Sequence, residues 1–306
     1  MKIAVTSPSF SNNQLLRREL LAIFPDSIFN DSGEKLMGAR LVDFLQGVEG
    51  AIIGLEQIDE SLLSQLPSLR FVAKYGVGLD NIDLEACQRH HVQIGSRCGV
   101  NRISVAEMTI GFMIGLCRNL FFSSYELRRG HWKKAGGQEL SQLCVGIVGV
   151  GHIGKEVIRM LEPFHCRILV NDIIDQRDYY KKNGLFETTK EELFRTADVI
   201  SIHTPLTPET EGLIQESTLK LMKPTAFLIN TARGRIIHQR DLREALKKGI
   251  IAGAAIDVYE DEPVTDRELI ELPNIICTPH IGGNSKNAVI AMGRCAIERL
   301  RELSQS

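Results

Sequence analysis

An arginine, a glutamate and a histidine each follow a short apolar run late in this chain. Arg233 closes "FLINTAR", Glu262 lies beyond "AAIDVY" and before Pro263, and His280 follows "NIICTP". A carboxylate beside an imidazole orients the ring and raises its pKa, which makes an acid/base pair usable near neutral pH. A guanidinium beside such a pair suits a carboxylate or oxyanion, because its planar fork meets two oxygens at once. Each residue alone also has a structural reading: a surface salt bridge for Arg233, a loop carboxylate for Glu262, a histidine bonded to a carbonyl for His280. Spacing along the chain does not show that the three meet.

A second constellation binds rather than reacts. Gly149-Val150-Gly151-His152-Ile153-Gly154 matches G-x-G-x-x-G between a strand-like run, "LCVGIVG", and a helix-like one, "KEVIRMLEPF", which Pro163 helps to stop. The first glycine permits a tight turn, and the second lets backbone N–H groups approach a pyrophosphate. The third lets helix close on strand, and the helix N-terminus adds positive potential. The following strand, "RILVND", ends at Asp172, an acceptor for a ribose 2′-OH that repels a 2′-phosphate. This combination calls for NAD. The structural alternative is an ordinary turn followed by a surface carboxylate.

Groups of this kind need strand ends to sit on. Short β-branched runs ("KIAVT", "GAIIG", "LRFVAKY", "CVGIVG", "RILVND", "DVISI", "AFLIN", "IAGAAIDV", "NIICT") alternate with helical patterns along the chain. That rhythm means βαβ units and parallel sheets covered on both faces, and the strands are too many for one compact sheet. The fold class is α/β with two doubly wound parallel-sheet domains. Ligands in such sheets bind beyond the carboxyl ends of the strands, where Arg233, Glu262 and His280 would lie. "NRISVAEMTIGFMIGLCRNL" reads as one long helix opened by Ser104, with Glu107 at capping-box spacing, and apolar almost all round, hence buried. "NSKNAVIAMGRCAIERLRELS" reads as a closing helix that returns to the first domain and makes it discontinuous: residues 1–98 with 284–306, and 99–283 between them.

Composition sets the outer bounds. The 306 residues are 43% apolar and 24% charged, enough for two domains with real cores. A net charge of −2 offers no bulk attraction for nucleic acid or an anionic membrane. "MKIAVTSPSF" reads as a buried strand rather than a signal peptide, and no apolar run approaches the roughly 20 residues that span a bilayer. A cytoplasmic location is expected. The seven cysteines form no C-x-x-C pair and suit reduced, buried thiols rather than zinc or disulfides, so no metal is expected.

The segments "YGVGLDNID", "GVNRISVAEMT", "GIVGVGHIGKEV", "HTPLTPETEGLI", "INTARGRIIHQRDLREALKKG", "AGAAIDVYEDEP" and "TPHIGG", in this order, carry a family likeness. The chain resembles the D-2-hydroxyacid dehydrogenases, most closely the D-3-phosphoglycerate and glyoxylate/hydroxypyruvate branch. The resemblance implies a Rossmann NAD-binding domain inserted into a flavodoxin-like substrate domain, which accounts for a glycine loop in mid-chain. It implies that His280 is the acid/base, Glu262 its partner, and Arg233 the binder of substrate carboxylate and keto oxygen. Backbone N–H groups of Gly76, Val77 and Gly78 would take the carboxylate, with Asn101 nearby. For NAD it adds His152 and Ile153 by backbone contact, Thr204 on the adenosine side, Thr231 and Ala232 at the nicotinamide ribose, and Asp257 and Gly282 at the carboxamide. His203 is expected to be structural. A homodimer is implied, using the helix from Asn101 to Asn119 and the arm around Phe121, Phe122 and Trp132.

The family often has Tyr-Asp-Pro where this chain has "NDI", which alters the adenosine pocket but keeps Asp172. The chain stops soon after its last helix, so a C-terminal regulatory domain is not expected. Phosphoglycerate dehydrogenases commonly carry an Arg in the loop that here reads Gly54-Leu55-Glu56-Gln57, with no cation and an added carboxylate at Glu56 that would repel a dianionic phosphate. This favours a small unphosphorylated acid such as glyoxylate or hydroxypyruvate, with Lys74 approaching the cleft as the feature that would count against it. Phosphoglycerate oxidation, an NADH-sensing binding protein, and formate or phosphite oxidation are the alternatives.

Overall fold

The computed structural model describes residues 1–305. It divides into two α/β units, one from residues 1–101 with 283 onward and one from residues 102–282. The first boundary falls later than 98/99 because Val100 packs into the core of the first unit and the Asn101 side chain lies against Gly283. The second falls at 282/283 rather than 283/284.

In the first unit, β1 (Ile3–Val5), β2 (Ile28–Phe29), β3 (Gly50–Ile53), β4 (Phe71–Lys74) and β5 (Gln93–Gly95) are all parallel, in the order β2-β1-β3-β4-β5. This is the flavodoxin-like order. Its central strands read as unbroken apolar runs because both sheet faces are covered. Leu41, Leu45 and Leu63 belong to the core on one side, and Phe10, Leu16 and Leu20 join Met292, Ile297 and Leu300 on the other. The last three come from the helix Lys286–Leu303, whose N-cap Ser285 accepts from the Ala288 N–H.

The second unit holds β6 (Cys144–Val148), β7 (Arg167–Asn171), β8 (Phe186–Glu187), β9 (Val199–Ile202), β10 (Phe227–Asn230), β11 (Gly253–Ile256) and β12 (Ile275–Cys277). All pair parallel in the order β12-β11-β10-β9-β6-β7-β8. The chain winds outward from β6 to β8, then restarts at β9 on the other side, so the switch point lies between β6 and β9. Alternation along each strand divides the core in two. Ile200, Ile202, Leu228 and Ala254 face one side, and Val145, Ile147, Val199, Ile229 and Ala255 the other.

Register decides which loops become neighbours. Val148 pairs with Ile202, so Gly149 and His203 leave the sheet side by side. Asn230 pairs with Ile256 and Ile256 with Cys277, so Thr231, Asp257 and Thr278 start level on the same edge.

The long apolar helix runs Arg102–Cys117 and buries Val105, Ala106, Thr109, Phe112, Met113 and Leu116. The expected capping box is wrong. The helix starts before Ser104, and the Ser104 hydroxyl donates instead to the Gly282 carbonyl at 2.6 Å. Among the described residues no single helix is long and apolar enough to cross a membrane. All seven cysteines are free; Cys87, Cys117, Cys144 and Cys295 are buried, whereas Cys98 is exposed, against the expectation of uniformly buried thiols.

Candidate active site

Three loops on one edge of the seven-stranded sheet supply the reactive side chains. After β12, Thr278 and Pro279 lead to His280, whose φ of 53° is left-handed. Its Nδ1 lies 2.7 Å from Glu262 Oε2, while Glu262 Oε1 accepts from the Tyr259 N–H at 3.2 Å. The sequence-derived pair therefore meets in space. The hydrogen bond to Glu262 raises the His280 imidazole above its ordinary value, and the charges of Glu262 and Asp257 add to this against burial and Arg233. Burial alone would raise the Glu262 carboxyl. The bond and charge of His280, the Tyr259 N–H and Arg233 together hold it below the usual carboxylate range. The two shifts agree: the pair favours imidazolium beside carboxylate.

Arg233 stands at the end of the turn that follows β10. The buried Asn230 side chain shapes this turn, accepting from the Ala232 N–H at 3.0 Å and donating to the Arg233 carbonyl at 2.9 Å. The Arg233 guanidinium donates to the Ala232 carbonyl at 2.7 Å, and its charge acts on both Glu262 and His280. Gly234 lets this turn press on the loop after β11, since a Cβ there would collide with the Tyr259 carbonyl.

The glycine loop follows β6 at the switch point. Gly149 has φ of 94°, and a Cβ on it would lie 2.8–2.9 Å from the His203 carbonyl and Thr204 nitrogen. A Cβ on Gly154 would strike the Gly149 carbonyl, so helix His152–Leu161 approaches the loop only because that residue is glycine. Space over Gly151 is open, and this N-cap has no side chain to occupy the helix end. Asp172 braces the loop: Oδ2 accepts from the Val150 N–H at 2.5 Å and Oδ1 from the Ile174 N–H at 2.9 Å. Thr204 Oγ1 and His203 Nδ1 are buried without a partner. His203 Nε2 meets Ser201 Oγ at 2.9 Å, and burial pushes this imidazole down to about 3, so it is neutral. An open backbone cradle with an acidic brace fits a dinucleotide pyrophosphate and ribose.

In the first unit, Gly76 (φ 141°), Val77 and Gly78 follow β4. Beneath them Lys74, 4% exposed, donates to the Gly54 carbonyl and to Asn81 Oδ1, and Asn81 donates to the Glu56 carbonyl. Glu56 is 2% exposed and turns back on the Gly54 N–H at 2.6 Å, leaving Leu55, 66% exposed, as the outward side chain of its loop. Asn101 is buried, and its Oδ1 has no hydrogen-bond partner.

Residues 110–282 match the model of the D-isomer specific 2-hydroxyacid dehydrogenase, NAD binding domain. The chain belongs to this family. It is 35% identical over 271 residues to the glyoxylate reductase of Pyrococcus furiosus, covering 85% of this chain and 81% of that protein. It is 36% identical over 251 residues to the D-3-phosphoglycerate dehydrogenase of Bacillus subtilis, covering 81% of this chain and 48% of that protein. The chain thus spans about half the length of the phosphoglycerate dehydrogenases it matches. Among solved structures it is similar to the D-lactate dehydrogenase of Aquifex aeolicus complexed with NAD and lactic acid, with a TM-score of 0.85 and 25% identity over 100% of this chain and 96% of that one.

The second unit is therefore the NAD-binding domain of a D-2-hydroxyacid dehydrogenase, with Arg233, Glu262 and His280 on one sheet edge. Four residues went unnoticed in the sequence as parts of the site. Ser104 and Thr278 hold the His280 loop, Tyr259 donates to the Thr278 carbonyl at 3.0 Å, and Gly234 seats the Arg233 turn. Only Gly234 left a signal, as the glycine of "TARGR". Asp257, expected at the carboxamide of NAD, already accepts from Thr278 Oγ1 (2.6 Å), the Ile281 N–H (2.8 Å) and the Gly282 N–H (2.7 Å), so in this chain it first of all shapes the His280 loop. Thr231 Oγ1 lies 3.2 Å from Thr109 Oγ1, beside Ala232.

Proposed function

We propose that this member of the family interconverts a small, unphosphorylated D-2-hydroxy acid and its 2-keto acid, with His280 as acid/base. The observation that carries the proposal is the Glu262–His280 pair at 2.7 Å beside Arg233 in an NAD-binding unit. Bound NADH supplies the hydride. With Nδ1 held by Glu262, Nε2 of the imidazolium is left to give its proton to the keto oxygen, and to take it back in oxidation. Arg233 binds the carboxylate and stabilises charge developing on that oxygen, an interaction that strengthens toward the transition state. The backbone N–H groups at Gly76, Val77 and Gly78 are assigned the carboxylate, with Asn101 supporting them. Gly149, Gly151, His152, Ile153 and Gly154 are assigned the pyrophosphate, Asp172 and Thr204 the adenosine. Thr231 and Ala232 are assigned the nicotinamide ribose, and Asp257 and Gly282 the carboxamide.

The substrate class rests on the loop after β3. It contains no cation, its one carboxylate is turned inward, and it presents Leu55. The nearby cation, Lys74, is buried and committed to the Gly54 carbonyl and Asn81, so the lack of an exposed cation, rather than repulsion from an outward Glu56, is the reason to disfavour a dianionic phosphate. NADH oxidation with glyoxylate, hydroxypyruvate and hydroxypyruvate 3-phosphate tests this. Higher kcat/KM for the unphosphorylated acids is expected, and a preference of about tenfold for the phosphorylated one, some 1.4 kcal/mol, overturns the assignment.

Asp172→Ala weakens NADH binding and narrows the preference over NADPH, because the 2′-OH acceptor, the repelling charge and the brace on Val150 vanish together. Titrating both dinucleotides against parent and variant measures it; a parent that takes NADPH as readily as NADH removes the role of Asp172.

We also infer a homodimer through the second unit. Phe121 (55%) and Trp132 (77%) are exposed alongside Leu120, Tyr125 and Leu127. The arm is held rather than loose: the buried Glu126 carboxylate gathers Lys133 at 2.6 Å, His131 at 3.1 Å and Arg129 at 3.6 Å. Apolar surface of this kind marks an interface. Light scattering at micromolar concentration is expected to give twice the chain mass, and a monomer there rejects the assembly.

A further inference from the structure

The bond from Ser104 to Gly282 joins the first turn of helix Arg102–Cys117 to the loop that carries His280. The sequence places Ser104 as an N-cap, whose oxygen would turn back on the helix's own N–H groups, but in the structure it is the third helical residue. Here the hydroxyl instead donates, at 2.6 Å, to a carbonyl distant in sequence. Gly282 is held from its other side by the Asp257 carboxylate, which accepts its N–H at 2.7 Å. A Cβ on Gly282 would lie 3.0 Å from both Asp257 Oδ2 and Met108 Cε, so the backbone is seated directly on the helix.

His280 needs such a seat. Its φ of 53° is a conformation that a residue with a side chain seldom adopts and keeps only when its surroundings impose it. The loop is imposed upon at both ends. Thr278 donates its hydroxyl to Asp257 and offers its carbonyl to the Tyr259 hydroxyl, while Gly282 is fixed by Asp257 and Ser104. Asp257 is buried and reaches Thr278, Ile281 and Gly282 at once, whereas the bond from Ser104, beside the packing of Gly282 on Met108, ties this loop to the helix rather than to its own sheet edge.

We propose that Ser104 is a positioning residue for the acid/base histidine: its hydroxyl holds the Gly282 carbonyl so that the loop keeps the His280 ring aligned on Glu262. Ser104 touches no reacting atom, and its effect passes through Gly282 and Ile281 to His280. Removing the hydroxyl releases one end of the loop, lengthens the average His280–Glu262 separation and weakens the support that the carboxylate gives the imidazolium. The proposal rests on the reading of His280 as acid/base.

Ser104→Ala and Ser104→Thr test it with a 2-keto acid and NADH. Ser104→Ala is expected to lower kcat by about ten- to a hundredfold, the scale of a misplaced catalytic group. Its loss of reductive activity with rising pH moves to lower pH, because a less supported imidazolium gives up its proton sooner. Ser104→Thr, which keeps the hydroxyl, recovers most of the lost rate. Parent-like kcat and pH profile in Ser104→Ala overturn the proposal. So does a lowered melting temperature with unchanged kcat per folded molecule, or a Ser104→Thr protein no better than Ser104→Ala. If His280→Ala itself turns over like the parent, the acid/base reading fails first; if His280→Ala is inactive and Ser104→Ala is normal, only the positioning role is lost.

Discussion

The His280→Ala protein reduces its keto acid about a hundred to ten thousand times more slowly than the parent, the range expected when a general acid is removed. NADH affinity stays nearly unchanged, since the glycine loop and Asp172 lie at other strand ends of the sheet. Stopped-flow turnover with fluorescence titration of NADH separates the two quantities, and parent-like turnover would take His280 out of the mechanism. The companion variant Glu262→Gln reads the pair through pH. The parent's imidazole is raised first by its hydrogen bond to Glu262 and further by that residue's charge. Reduction needs imidazolium, so activity is full below the His280 pKa and falls as pH rises through it. Removing the carboxylate charge lowers that pKa and moves the fall to lower pH, whereas the oxidative reaction, which needs neutral imidazole, extends to lower pH. An unmoved profile would separate Glu262 from the titrating group.

Replacing Arg233 by lysine costs about a hundred- to a thousandfold in kcat/KM for the keto acid, comparable to loss of one donor from an oxyanion site. Charge is kept, yet the planar fork that meets two oxygens is replaced by a single ammonium. The turn survives, because Asn230 holds it through the Ala232 N–H and the Arg233 carbonyl, both backbone groups that the substitution leaves alone. The loss is therefore one of recognition rather than folding. A circular dichroism melt like the parent's with reduced kcat/KM is the expected outcome. An Arg233→Lys enzyme with kcat/KM close to the parent's would show that the guanidinium geometry is not used.

Much of the site was legible because it is made of local turns at strand ends. Gly149 and Gly154 could be named from their spacing, as each faces a steric demand set within the same β-turn-α unit: the positive φ of one, the carbonyl that the other's helix must approach. Asp172 could be placed at the end of the next strand for a similar reason, and the structure shows it there bracing the Val150 N–H. Glu262 and His280 were identified individually, but their meeting depends on β11 and β12 being adjacent and level, which the register Ile256↔Cys277 supplies.

The amino-acid sequence by itself determined the alternation of buried strands and helices, the dinucleotide turn, the acidic end of the second nucleotide strand and the types of reactive group at the strand ends. These follow from periodicity and backbone sterics over a few residues, and short-range physics is written in consecutive letters. Tertiary structure alone decided the rest. It turned Ser104 away from its own helix toward Gly282, committed Asp257 to the His280 loop, and folded Glu56 inward so that Leu55 faces out. In each case a polar group had more than one way to satisfy its hydrogen bonds, and the choice fell to whichever partner the packing of sequence-distant segments brought within about 3 Å.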